Sequence, residues 1–250
     1  MKLDQRDYGL VAEKLGDSPT TVIPLHFILR GRTQVYTDDA REPRNLLIVF
    51  TYGYGEAFAS GPDSQVLAQL CIEAQVCKHH LWAPAEAAEA VAQVVQEHAS
   101  RPVERLPQLH RILTTAPPAF LSNPPARLLT SADLELIEQA PPQFAPALAG
   151  WESRAVALSE SGAAAVVLDG GIVSLACVFA RTPRHADIAV HTLQDFRSRG
   201  YSTACAALVA RVVLESGRTP TWTVQERNLA SVRISEKLGF QTVARSMLLV

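Results

Sequence analysis

A strand-like run at residues 187–192 leads through Arg197-Ser198-Arg199-Gly200 into a helical stretch at 201–215. No other part of the chain constrains its fold as tightly. A helix start exposes its first N–H groups, and the helix dipole adds partial positive charge there, so the turn is a ready anion site. Gly200 has no Cβ, which lets the backbone approach a phosphate closely. Ser202, Thr203 and Ala204 keep the first turn uncrowded, and Arg197 and Arg199 can add charge-assisted hydrogen bonds. The design suits a pyrophosphate. A solvated basic turn around a glycine accounts for the same residues, so the turn alone leaves two readings.

The patterns around that unit spell an α+β layout. Residues 126–130 read as a strand, and Ser131 as the cap of a helix-like segment that runs to Gln139, before Pro141-Pro142. Apolar runs at 163–168 and 172–179 flank Asp169-Gly170-Gly171, a turn that tolerates positive φ and so predicts a hairpin. Gly217 stops the 201–215 helix, residues 219–224 read as a strand, 229–238 as a helix, and 241–249 as a closing strand pair. The order is β-α-β-β-β-α-β-α-β. Upstream, residues 33–37, 45–51 and 56–59 read as strands, and 64–74 and 84–98 as helices, the second opening on Pro84. Prolines from Ala116-Pro117-Pro118 to Asn123-Pro124-Pro125 read as a connector. The expected division is a smaller N-terminal α/β domain at 1–115, a Pro-rich connector at 116–125 and a second domain at 126–250.

Composition narrows the function. The 250 residues are 48% hydrophobic, enough for a sizeable core. With 19% charged residues and a formal net charge of −2, no basic excess exists to hold nucleic acid. The polar opening Met1-Lys2-Leu3-Asp4-Gln5-Arg6-Asp7 is unlike a signal peptide, and no apolar run approaches the ~20 residues that cross a bilayer. A cytoplasmic setting without a membrane partner is the expectation. Cys71, Cys77, Cys177 and Cys205 show no pairing pattern. His79 and His80 follow Cys77 at a spacing that matches no common zinc site, so buried thiols, surface imidazoles and no metal are expected.

Arg197, Gly200 and Ser202 resemble the pyrophosphate motif of the GNAT superfamily of N-acetyltransferases. That motif runs Gln or Arg, two residues, Gly, one residue, then Gly or Ala, so Ser202 departs from it in the last place. Pro220-Thr221-Trp222-Thr223-Val224, the pair Asn228 and Ser231, and the ending Glu236-Lys237-Leu238-Gly239-Phe240 resemble the superfamily's second motif. They are most similar to a bacterial branch that places a divergent domain before the transferase domain. Val35-Tyr36-Thr37-Asp38-Asp39 and Glu42-Pro43 resemble that branch's N-terminal pattern. The specific resemblance covers about residues 187–240, and the rest follows by order of elements.

The resemblance implies a GNAT-like fold, with a mixed, mostly antiparallel central sheet flanked by helices, and acetyl-CoA as co-substrate. The pantetheine would lie between strands 187–192 and 219–224, against backbone groups of Val190, His191 and Thr192 that polarise the thioester carbonyl. The N–H groups of Ser198, Arg199, Gly200, Tyr201, Ser202 and Thr203 would hold the pyrophosphate with Arg197. Asn228 and Ser231 would face the pantetheine, and Asn228 is equally well placed to cap the next helix. Many relatives carry a tyrosine acid where this chain has Ser235, a poor acid. Asp187 and His191 are the catalytic candidates; a surface role for Asp187 and a core or CoA-contact role for His191 stay open. Positioning two bound reactants supplies rate without any dedicated base.

The implied activity is an acetyl-CoA-dependent N-acetyltransferase, an acyltransferase moving acyl groups other than amino-acyl ones to the amine of a small molecule or peptide by direct attack. The alternative is an acyl-CoA-binding regulatory module without turnover. Self-association is compatible with either. No Gly-x-Gly-x-x-Gly fingerprint and no Gly-Lys-Ser/Thr loop supports another nucleotide-binding fold. The N-terminal domain is expected to shape the acceptor pocket or an interface and to hold no second CoA site. Its glycine-rich stretch, Tyr52-Gly53-Tyr54-Gly55, sits between strands rather than at a helix start. Tyr52 and Tyr54 read either as acceptor lining or as sheet packing.

Overall fold

In a computed structural model of the chain, residues 1–52, 55–99, 102–118 and 125–250 are described. In chain order the elements are α1 (Tyr8–Leu15), α2 (Val22–Leu29), β1 (Thr33–Thr37), β2 (Leu46–Phe50), β3 (Glu56–Ser60), α3 (Ser64–Glu73), β4 (His80–Pro84), α4 (Ala88–Ala99) and β5 (Arg105–Ile112). They continue with β6 (Ala126–Leu129), α5 (Leu134–Glu138), α6 (Ala145–Leu148), α7 (Arg154–Glu160), β7 (Ala163–Leu168), β8 (Gly171–Arg181) and β9 (His185–Thr192). The last four are α8 (Tyr201–Glu215), β10 (Thr219–Gln225), α9 (Leu229–Leu238) and β11 (Gln241–Leu249). The fold is α+β, with a mostly antiparallel sheet flanked by helices.

Two compact units divide the chain. The first is Met1–Leu109 with Gln225–Arg227 and Ala244–Val250; the second is His110–Val224 with Asn228–Val243. In the first unit the strands run β1-β2-β3-β4-β11. Only β3 and β4 pair in parallel there, and α3 makes the crossover between them. Leu47, Ala57, Leu67, Cys71, Leu81, Val91 and Val95 meet in its core. The β1–β2 loop is clamped by Asp38. Its carboxylate accepts from the backbone N–H of Asp39, Arg44 and Asn45, from the Thr37 hydroxyl and from the Asn45 amide, at 2.7–3.1 Å. Burial works to raise this carboxyl, but the Asn45, Arg44 and Thr37 donors override it and hold it well below the usual range. The Thr37-Asp38-Asp39 pattern is thus a loop lock.

The second unit carries β10-β9-β8-β7-β6. β6 to β9 pair antiparallel. Asp169 (φ 50°) and Gly170 (φ 78°) turn the β7–β8 hairpin, as their left-handed tolerance predicts. Helix α8 lies on β6 to β9 through a face of small residues, including Ala204, Cys205, Ala206, Ala207 and Ala210. Small side chains there let the helix sit close to the sheet. Gly217, at φ 77°, follows the C-cap Ser216 and ends α8.

The β8–β9 register slips between Val178 and Ala180, so Phe179 is an extra residue opposite Ile188 and Asp187. The indole of Trp151 donates to the Val178 carbonyl at 2.7 Å and pins this bulge. Gly150 is required beside it, because a Cβ there would stand 1.8 Å from the Phe179 carbonyl oxygen. Gly150→Ala is therefore expected to cost about 1–3 kcal/mol through forced displacement of the bulge. Thermal unfolding reads it; an unchanged melting temperature would show that the bulge yields freely.

Several expectations need correction. Pro84 ends strand β4 instead of opening a helix, and α4 starts only at Ala88. The helix start after β6 is capped by Thr130, in a capping box with Asp133, and not by Ser131. Residues 241–249 form one strand, β11, not a pair. Tyr52 stacks on Phe27 at 4.1 Å between ring centroids, under the Arg32 guanidinium, so it packs the first unit. Gly53 and Tyr54 lie outside the described residues, as do 119–124 of the Pro-rich stretch. All four cysteines are buried and free.

Candidate active site

Strands β9 and β10 run parallel but pair at three positions only: Thr219 with His185, Pro220 with Ala186 and Thr221 with Asp187. The ladder stops there. From Ile188 to Thr192 the β10-facing edge of β9 is left open, and the strands part as a V whose apex is Asp187.

Asp187 is buried, which excludes the surface reading. One carboxylate oxygen accepts from the hydroxyls of Thr221 and Thr223, each at 3.0 Å. Burial pushes this carboxyl up to about 7, while the two threonines work to lower it. A carboxyl poised there can exchange a proton at neutral pH. His191 lies four residues along the same strand, roughly 13 Å away on the same face, so the two candidates are not brought together. Phase with the strand turns its ring edge-on to Phe144, with centroids 5.3 Å apart. Partial burial first, and the charge of Arg197 second, lower its pKa and favour the neutral imidazole.

The V opens toward the start of α8. The chain leaves β9 through a single 3-10 turn, Gln194–Phe196, which sequence patterns did not anticipate. Ser198 (φ 62°) and Gly200 (φ 80°) both adopt left-handed backbone, and Gly200 is the N-cap. No described side chain caps α8, so the N–H groups of Tyr201, Ser202 and Thr203 are left for another partner. Arg197 reaches back, its Nε 3.3 Å from the Thr192 carbonyl oxygen. Arg199 bonds the Asp195 carbonyl and covers the Phe196 ring. Thr192 and Ser202 are brought together, their hydroxyls 2.6 Å apart. Val190 lies on the open stretch of β9, paired with Ala176 on its other side.

Asn228 is the N-cap of α9, accepting from the Ser231 N–H at 3.2 Å. The Ser231 hydroxyl in turn accepts from the Trp222 indole at 3.0 Å. Ser235 is fully buried and faces away from acid chemistry: Arg111 Nη1 donates to its hydroxyl at 2.8 Å, and that hydroxyl donates to the Val232 carbonyl. Arg111, itself buried, also donates to the Phe240 carbonyl at 2.8 Å. The position thus ties β5 to the end of α9. Ser235→Ala is expected to cost about 1 kcal/mol of stability and to leave turnover nearly intact. A fall of orders of magnitude in turnover, with acetyl-CoA affinity kept, would show instead that the hydroxyl takes part in the reaction.

The family model of the GNAT acetyltransferases matches residues 14–246. The chain belongs to this family. A GCN5-related N-acetyltransferase-like protein from Streptococcus suis shares the fold with a TM-score of 0.75, at 21% identity over 98% of each chain. A GCN5-related N-acetyltransferase from Sphaerobacter thermophilus gives a TM-score of 0.59 at 16% identity, over 100% of this chain and 94% of its own. A GNAT-family acetyltransferase from Colwellia psychrerythraea gives 0.57 at 12% identity, over 100% and 97%. At such identities the likeness concerns the fold. No curated protein matches the sequence.

Membership in the GNAT family brings acyl transfer from acetyl-CoA as the general chemistry. The residues here fit that co-substrate: an open strand edge, an uncapped helix start and a buried titratable carboxyl follow one another along β9 and α8. Among the described residues no group of three or more His, Cys, Asp or Glu is arranged to hold a metal, and no helix is long and apolar enough to cross a membrane. Three residues of this constellation escape a reading of the sequence. Thr221 and Thr223 sit at alternate positions of a strand, which hints at one shared face, but their carboxylate partner is 34 and 36 residues away. Arg111 lies in a strand that carries Pro107 and shows no alternation.

Proposed function

We propose that this chain is an acetyl-CoA-dependent N-acetyltransferase that moves an acetyl group to the amine of a small molecule or peptide by direct attack. The observation that carries this is the V between β9 and β10, with Asp187 buried at its apex and the uncapped start of α8 at its mouth. The co-substrate supplies an activated thioester. The N–H groups from Ser198 to Thr203, with Arg197 close by, hold its pyrophosphate, and the open edge of Val190, His191 and Thr192 takes the pantetheine as a further strand would. Backbone donors on that edge stabilise charge developing on the thioester oxygen.

In the transfer, the amine nitrogen forms a bond to the carbonyl carbon as the carbon–sulfur bond breaks. The ammonium proton passes to Asp187, and the sulfur leaves as thiolate, because the Ser235 hydroxyl gives its proton to the Val232 carbonyl and offers no acid. Asp187 reaches its range through burial, and Thr221 and Thr223 orient it. His191, held neutral, lines the mouth without taking the proton. The fitting test is thiol release from acetyl-CoA in the presence of a panel of primary amines. Amine-dependent release supports the transferase. Saturable acetyl-CoA binding with no release against any amine would favour a regulatory module instead.

A further inference from the structure

The family motif ends in Gly or Ala, yet this chain has Ser202 in that place. Its hydroxyl is not idle. Ser202 Oγ lies 2.6 Å from Thr192 Oγ1, which lies 2.6 Å from Ser174 Oγ. The three hydroxyls cross from the first turn of α8 through β9 to β8. Ser174 and Thr192 are buried, at 0% and 7% exposure, while Ser202 is half-buried at the mouth of the turn.

The chain holds three protons and two internal links. One orientation runs inward, from Ser202 to Thr192 to Ser174, and ends on the His191 carbonyl, 3.4 Å from Ser174 Oγ. That terminal bond is long and weak. The other runs outward, from Ser174 to Thr192 to Ser202. Both internal links are kept, and the Ser202 proton is left pointing out of the protein beside the free N–H groups of the helix start. An anion at the turn favours the outward orientation, since each hydroxyl then polarises the next toward the charge.

Building on the proposed acetyl-CoA site, we infer that Ser202 is a side-chain donor to the pyrophosphate, oriented by Thr192 and Ser174 as positioning residues. The motif's departure from Gly or Ala thus adds a ligand contact instead of costing one.

Calorimetry with acetyl-CoA and with S-acetylpantetheine, which lacks the pyrophosphate, tests this on the full chain. Ser202→Ala is expected to weaken acetyl-CoA binding about tenfold and to leave S-acetylpantetheine unchanged. Thr192→Val should give a similar loss, Thr192→Ser should restore most of it, and the Ser202→Ala/Thr192→Val pair should bind no worse than Ser202→Ala alone. Equal loss for both ligands, or fully additive losses, would overturn the wire. Wild-type affinity in Ser202→Ala would do so as well, and Gly200→Val says which idea has failed. If Gly200→Val destroys acetyl-CoA binding while Ser202→Ala does not, the site stands and the side-chain contact falls. If neither variant weakens binding, the site itself is misplaced.

Discussion

A folded Gly200→Val variant is expected to bind acetyl-CoA at least a hundredfold more weakly than the parent chain. Two causes act together. Gly200 sits at φ 80°, where a β-branched residue is strained, so the turn must shift to accept it. Any shift moves the first N–H groups of α8, which have no side-chain cap to hold them in place. The valine methyls would also crowd a turn that glycine leaves bare. Loss of one charge-assisted hydrogen bond is worth about 1.5–3 kcal/mol, and several are disturbed at once. Titration calorimetry gives the affinity, and circular dichroism and a melting curve show that the chain is folded. Unchanged affinity in a folded variant would place the co-substrate elsewhere.

Asp187→Asn is expected to lower turnover by roughly 10²–10⁴ while acetyl-CoA affinity stays near that of the parent. The amide oxygen can still accept from Thr221 and Thr223, so the apex of the V keeps its geometry and loses only its proton acceptor. In the parent, kcat/KM should rise with pH through a pKa about 7, and the variant should lack that limb. Stability should move in the opposite sense. The folded carboxyl titrates above its unfolded value of 3.8. Below about pH 4 both states hold the proton; between there and pH 7 the unfolded chain releases it first, so stability falls as pH rises. Above pH 7 the penalty is complete and constant. The Asn variant escapes it, and should melt higher than the parent at pH 8 and similarly at pH 4. Turnover close to that of the parent would remove Asp187 from the reaction.

How far these features could be read from sequence depends on how local their causes are. The hairpin at Asp169-Gly170 and the stop at Gly217 are fixed by backbone tolerance of one or two residues, and both are found where the residues predict them. Helices α8 and α9 follow from periodicity and from caps at Gly200 and Asn228. Helix α2 is different. Val22, Leu25, His26, Phe27 and Ile28 are buried on all sides, which leaves no polar face to mark a period. Strand β4 has five residues and ends in a proline that reads equally well as a helix start. The Gly200 turn is legible because a left-handed helix start is written in consecutive residues. The state of Asp187 was not, since its burial and its two threonine donors come together only across the parallel pairing of β9 with β10. Ser202 is a departure from the motif in sequence, and only the fold brings Thr192 and Ser174 to its hydroxyl.

The three-rung ladder between β9 and β10 makes the stability of the second unit depend on what fills the gap beyond it. A sheet interrupted in this way leaves peptide groups on both rails without strand partners, although Arg197 takes the Thr192 carbonyl. A guest that binds the folded chain alone adds about 2.7 kcal/mol at a hundred times its Kd, which is a large share of what holds a small domain together. Resistance to proteolysis would then rise with the level of whatever ligand occupies the gap.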